Sequence, residues 1–172
     1  MAEGAPLLRE YTGDRIEGSN PSLSDAFLYH AQFYIMHKPS NHATLQFYLM
    51  NIHVDDQEKA LRFYTSVLGF SLKDDIDMGA HRWLTVVDPN DTNGMQLLLE
   101  PNHHPAAMAY QSSLKKDGIA AASFFVSDID QEYQRLLSAG VVFQQQPITM
   151  GGVVMALFDD TCGNFIQLIQ RS

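Results

Sequence analysis

Two glutamines, Gln96 in "GMQLLLEP" and Gln167 in "FDDTCGNFIQLIQ", interrupt otherwise apolar runs. A carboxamide carries donors and an acceptor, so in such a setting it either meets a ligand or finds a partner inside the protein. Three other side chains nearby have the chemistry to act. Glu100 is a general base if burial raises its pKa, a site for a cationic ligand, or a solvated carboxylate beside Pro101. His53 is a base or a hydrogen-bonded structural imidazole. Cys162 sits in a turn with Asp159, Asp160 and Gly163, where neighbouring carboxylates discourage a thiolate, and "DDTCGN" reads as the tight entry to a strand. Of the remaining histidines, His30, His37 and His42 lie in the N-terminal arm and His103 and His104 in a linker, where the adjacent pair would point apart in an extended segment, so all five read as surface residues; His81 precedes a strand.

The chain around these residues has 172 residues, one cysteine and a formal charge of −9. One cysteine excludes an intramolecular disulfide framework and a multi-thiolate zinc site, which fits a cytoplasmic setting. The acidic balance opposes nucleic-acid binding, which needs clustered Lys and Arg. No apolar run reaches membrane-span length, and the N-terminus has no basic-then-apolar signal pattern, so no membrane partner is expected.

Which elements position the glutamines follows from the hydrophobic pattern. Residues 1–43 are punctuated by Gly and Pro, and only Asp25 to His37 could form a short helix; they read as an N-terminal arm. From residue 44 the pattern becomes regular. Leu45 to Val54 is rich in β-formers, Asp56 is a good N-cap, and Ala60, Leu61, Tyr64, Val67 and Leu68 recur at helical spacing until Gly69 stops the helix. Strands are expected at about 70–77, 82–88 and 94–100, the last after the turn "DPNDTNG".

This βαβββ order then recurs. "VDDQEKALRFYTSVLGF" from Val54 aligns with "VSDIDQEYQRLLSAGVVF" from Val126, and Gln96 with Gln167, at an offset of 71 to 72 residues. Asp128 caps the second helix, with Gln131 three residues later. The domain is therefore read as repeat one at 44–100, a linker at 101–118 with a helical piece around Ala106 to Lys115, and repeat two at 119–170, all within a domain of residues 44–172.

Strands alternate faces, so a helix-packing side fixes the other by subtraction. Met50, Ile52 and Val54 on the first strand, with Met95, Leu97 and Leu99 on the fourth, form the helix side. The opposite face then carries Asn51, His53, Trp83, Thr85, Gln96, Glu100, Ser123, Phe125 and Gln167. A face mixing aromatic and polar groups suggests a cup around a small molecule, whereas a plainly solvated sheet face would need no ligand.

The element order and the motifs "VDDQEKALRFYTSVLGF", "MQLLLEP" and "FDDTCGNFIQLIQ" resemble the vicinal oxygen chelate superfamily, which includes glyoxalase I, extradiol dioxygenases, fosfomycin-resistance enzymes and bleomycin-resistance proteins; within it, "RWLTV", "LLLEPNHHPA", "YQ" and "FDDTCGN" resemble small bacterial members of the glyoxalase/bleomycin resistance/dioxygenase kind. The resemblance covers about residues 44–170. It implies an α+β fold of two tandem βαβββ modules forming a curved mixed-sheet cup with helices outside, and a homodimer whose cups are completed between chains, with Tyr110 and the arm as candidate closures. Metal enzymes of the superfamily carry four ligands, which the resemblance carries over to Leu49, Gln96, Ala121 and Gln167. Leu and Ala have no donor atoms, and two neutral amides make a poor metal site, so no metal or other cofactor is expected.

The expected function is sequestration of a small molecule, a drug or metabolite, in a metal-free cup. The alternative is a metal-independent isomerase, epimerase or lyase using Glu100 or His53 as base; a metal-dependent glyoxalase or dioxygenase ranks third, because it conflicts with the four ligand positions.

Overall fold

The computed structural model describes residues 47–171. The chain divides into Met1–Thr44 and Leu45–Ser172, and the expected helix at Asp25 to His37 lies outside the described residues, as does the start of the strand expected from Leu45.

Among the described residues, eight strands form two four-stranded mixed sheets, one per βαβββ module. The first module runs β1 (Leu49–Val54), α1 (Gln57–Arg62), β2 (Ser71–Asp77), β3 (Arg82–Val87) and β4 (Gln96–Pro101); α2 (Pro105–Lys116) links it to the second. The second runs β5 (Ala120–Phe125), α3 (Ile129–Ser138), β6 (Phe143–Met150), β7 (Val153–Asp159) and β8 (Phe165–Arg171). The sheet orders β1-β4-β3-β2 and β5-β8-β7-β6 are the same pattern twice, as the internal repeat requires. In each, the first strand pairs in parallel with the last, and the others are antiparallel.

Local chemistry sets the helix ends. Oδ1 of Asp56 accepts from the amide of Lys59 at 2.8 Å, and Oδ1 of Asp128 accepts from the amide of Gln131 at 2.9 Å, so both caps form as their sequence positions suggest. After α1 the helix widens into a π segment, Phe63–Val67, and the amide of Leu68 reaches back five residues to the carbonyl of Phe63. The wider turn lets consecutive Phe63 and Tyr64 both enter the core. Gly69 then takes a φ of +89°, which glycine adopts without steric cost.

The helix-facing sides of both sheets share one apolar cluster, which includes Ile52, Val54, Tyr64, Leu84, Leu99, Leu136, Phe158, Ile166 and Leu168. Burying such residues, at roughly 25 cal/mol per Å² of apolar area, is the main favourable contribution to folding. Met50 and Met95 depart from the expected helix side: they are 53 % and 51 % exposed.

Candidate functional site

The apolar cluster occupies one side of each sheet, and the other side carries the residues singled out in the sequence, of which Thr85 and Gln96 are buried. On the first module that face is built by β1, β4 and β3. The β1–β4 register sets Leu49 opposite Gln96, Asn51 opposite Leu98 and His53 opposite Glu100; the β3–β4 register adds Thr85 opposite Leu98. Trp83 shares the face with Thr85 by strand alternation. In the second module Ser123 lies opposite Gln167, and Phe125 opposite Ile169.

Hydrogen bonds sort these residues into committed and available groups. The Asn51 amide donates to Oε2 of Glu100 at 2.5 Å, joining two of the expected site residues across the strands. Thr85 is fully buried; its hydroxyl accepts from the amide of Asp74 and donates to the Asp74 carboxylate, both at 3.2 Å, so it serves the β2–β3 bulge rather than a ligand. The Ser123 hydroxyl donates to Oε1 of Gln167 at 3.0 Å, and Nε2 of Gln167 points to the Met155 sulfur at 3.1 Å. Gln96 is buried; its Nε2 reaches the Tyr48 hydroxyl at 3.3 Å, and its Oε1 has no partner. Nδ1 of His53 is likewise buried and unpartnered. Phe125 is 67 % exposed, an aromatic ring on the face with little covering it.

The four positions that carry metal ligands in the superfamily can be tested on this geometry. Leu49 and Gln96 do face each other as strand partners, but the leucine offers no donor. In the second module a register shift between Ala120 and Ala122 sets Ser123, not Ala121, opposite Gln167, whose amide is already engaged. The donor set does not fit a divalent ion, which favours carboxylates, imidazoles or thiolates. Among the described residues no three His, Cys, Asp or Glu side chains are grouped as a metal would need.

The two modules meet at a polar seam that sequence reasoning did not assemble. The side-chain amide of Gln111, on α2, donates to the carbonyls of His53 at 2.7 Å and Cys162 at 3.1 Å and to Oδ1 of Asn164 at 3.1 Å, while its oxygen accepts from Asn102 at 2.7 Å. With three acceptors around two N–H bonds, one hydrogen is shared. Asn164 also donates to the His53 carbonyl at 2.8 Å. These bonds tie the end of β1 to the β7–β8 turn, and beside them lies a cleft of about 150 Å³ lined by Asn51, Ile52, His53, Tyr110, Gln111, Leu114, Ala121 and Asn164. The "YQ" pair at Tyr110 and Gln111 was the available signal, but a lone polar pair in a linker does not reveal its partners. A larger open hollow of about 550 Å³ lies at the β2–β3 turn, away from this face, and its Arg82 is committed to Glu58 and Asp75.

Cys162 and Asp160 are structural. Burial, and then the neighbouring Asp160 carboxylate, push the Cys162 thiol up to about 12, far from a nucleophile's range. Burial raises the Asp160 carboxyl above its ordinary value, although four donors oppose the shift: the amides of Cys162 and Asn164, the Asn164 side chain and the Tyr64 hydroxyl.

Comparison with known proteins agrees with this architecture. The family model for the "Glyoxalase/Bleomycin resistance protein/Dioxygenase superfamily" matches residues 41–168. The chain is 52 % identical over 121 residues to YurT, an uncharacterized protein of Bacillus subtilis (strain 168), covering 70 % of this chain and 95 % of that one. Among solved structures, UcmS2 is 29 % identical with a TM-score of 0.64, covering 73 % of this chain and 98 % of that one. TnmS3, an antibiotic binding protein from Streptomyces sp. CB03234, is 28 % identical with a TM-score of 0.62, covering 77 % of this chain and all of that one, 100 %. Among the described residues no helix is long and apolar enough to cross a membrane.

Proposed function

Because the chain belongs to the glyoxalase/bleomycin resistance protein/dioxygenase superfamily, yet sets Leu49 against Gln96 where metal enzymes of that superfamily place ligands, we propose that it binds a small organic molecule without a metal. The observation that carries this reading is the donor-poor Leu49–Gln96 pair, beside a face that still holds Trp83, Phe125 and unpartnered polar atoms on Gln96 and His53. A deep metal-enzyme chemistry has no first foothold here, whereas an aromatic and polar surface can hold a ligand by stacking and hydrogen bonds. The likeness to TnmS3, described as an antibiotic binding protein, supports sequestration of a drug or metabolite. The acidic chain suits a neutral or cationic ligand, and a free buried thiol suits a cytoplasmic setting.

The protein acts as a homodimer in this reading, each face being completed by the second chain. Exposed Met50, Ile119 and Phe125 supply apolar surface for such an association.

A second reading, a metal-independent isomerase, epimerase or lyase, is favoured by one contact: the Glu100 carboxylate, held by Asn51, lies on the strand position opposite His53. Quenching of Trp83, the single tryptophan, by a panel of aromatic and cationic compounds in the presence of EDTA tests the reading. Saturable quenching, with the compound recovered unchanged and the protein sedimenting as a dimer at micromolar concentration, is expected. Conversion of the compound would favour the enzyme reading, a panel with no binder would contradict the ligand site, and a monomer would contradict the paired face.

A further inference from the structure

The two unpartnered polar atoms on this face are not neighbours. Gln96 and His53 lie at opposite ends of the β1–β4 pair: Gln96 is paired with Leu49, and His53 with Glu100, four residues further along β4. At about 3.3 Å per residue the two positions are roughly 13 Å apart along the strands. The surface between them is not a continuous row of polar groups. Leu98 occupies the middle, Asn51 and Glu100 satisfy each other at 2.5 Å, and the Thr85 hydroxyl is taken by Asp74.

Each end has its own chemistry. At one, Oε1 of Gln96 is an acceptor held in place, because Nε2 of the same amide is directed to the Tyr48 hydroxyl and the backbone amide of Gln96 to the Tyr48 carbonyl at 2.9 Å. At the other, Nδ1 of His53 is buried without a partner, and His53 lines the cleft of about 150 Å³ together with Tyr110. A buried polar atom without a partner is unfavourable, and natural proteins keep few of them. Two lie on one face, with Leu98 between them and Trp83 on the same side, and the protein itself supplies neither with a partner.

We propose that the ligand is an elongated molecule with an apolar, aromatic body and a hydroxyl or N–H group at each end, one donating to Oε1 of Gln96 and the other meeting Nδ1 of His53. A hydroxyl serves His53 in either imidazole tautomer, since it both donates and accepts. The inference rests on the reading of this face as a ligand site and specifies what that site selects: length and two terminal polar groups, rather than charge.

A rigid series of probes measures this directly: 4,4′-dihydroxybiphenyl, 4-hydroxybiphenyl and biphenyl, titrated calorimetrically into the full chain and into Gln96→Leu, Gln96→Met and His53→Phe. Each hydroxyl should tighten binding about tenfold, and loss of either Gln96 or His53 should reduce the dihydroxy compound to the affinity of the monohydroxy one. The melting temperature of Gln96→Leu without ligand should equal or exceed that of the parent, because an unsatisfied amide has been removed, and Gln96→Met provides the same test should leucine disturb the strand. Binding of all three probes with equal affinity would overturn the two-ended site while leaving a ligand-binding face. Failure of all three to bind would overturn both.

Discussion

Gly163→Ala is expected to lower stability by about 2–6 kcal/mol, combining roughly 1–3 kcal/mol of backbone strain with a similar cost for buried hydrogen bonds displaced. Gly163 has a φ of +104°, which side chains with a Cβ rarely adopt, and that Cβ would lie 2.6 Å from Nε2 of Gln111. The Gln111 side chain can swing aside only by giving up its bonds to His53, Cys162, Asn164 and Asn102. The double variant separates the two contributions. Gln111→Ala alone loses the bonds but not the backbone geometry, so the clash is absent when alanine is then placed at position 163. Urea denaturation should give a double-variant loss smaller than the sum of the singles by about 1–2 kcal/mol. Strict additivity would mean that the glycine and the Gln111 amide are not coupled.

Asp160 gives the second large effect and a pH signature. Its side chain is 0 % exposed and accepts from Tyr64, from the Asn164 side chain and from two backbone amides. Asp160→Ala strands these donors and should cost about 3 kcal/mol or more. Asp160→Asn should cost less. It keeps an acceptor for the two backbone amides but turns an N–H toward the donating Asn164 amide. Because burial raises the folded pKa of Asp160 above 3.8, the native state holds this proton more tightly than the unfolded chain does. The sign follows: this group's contribution to stability is greatest below about 3.8 and is lost as pH rises through the folded value. The melting-temperature advantage of the parent over Asp160→Asn should therefore widen as pH is lowered from neutrality toward 4. A gap that narrows on acidification would contradict the assignment.

The regular elements were legible because their signals are local. Asp56, Asp128 and Gly69 mark helix ends through backbone geometry, and the Gln96–Gln167 period survives in two sheets of identical strand order. The expected α+β fold of tandem βαβββ modules is the observed one, and the linker helix expected at Ala106 to Lys115 spans Pro105–Lys116. What escaped the sequence depends on distant partners. Thr85 faces the expected side, yet its hydroxyl belongs to Asp74 across a bulge. The register shift in β5 brings Ser123 to Gln167, and no alternation pattern encodes a shift of that kind. Gln111 looks like a solvated linker residue until folding surrounds it with acceptors from β1 and from the β7–β8 turn. Asp160 reads as one of two turn carboxylates, and its distant partner Tyr64, carried on the π-widened helix, is 96 residues away in sequence.

The most direct test of a metal-free ligand site is calorimetric titration of EDTA-treated protein with nickel, zinc and iron(II). The donor chemistry of Leu49, Gln96, Ala121 and Gln167 predicts no saturable heat at micromolar protein. Tight one-to-one binding that is abolished by Gln96→Leu or Gln167→Leu would contradict the account and return the protein to the metal-dependent enzymes of its superfamily.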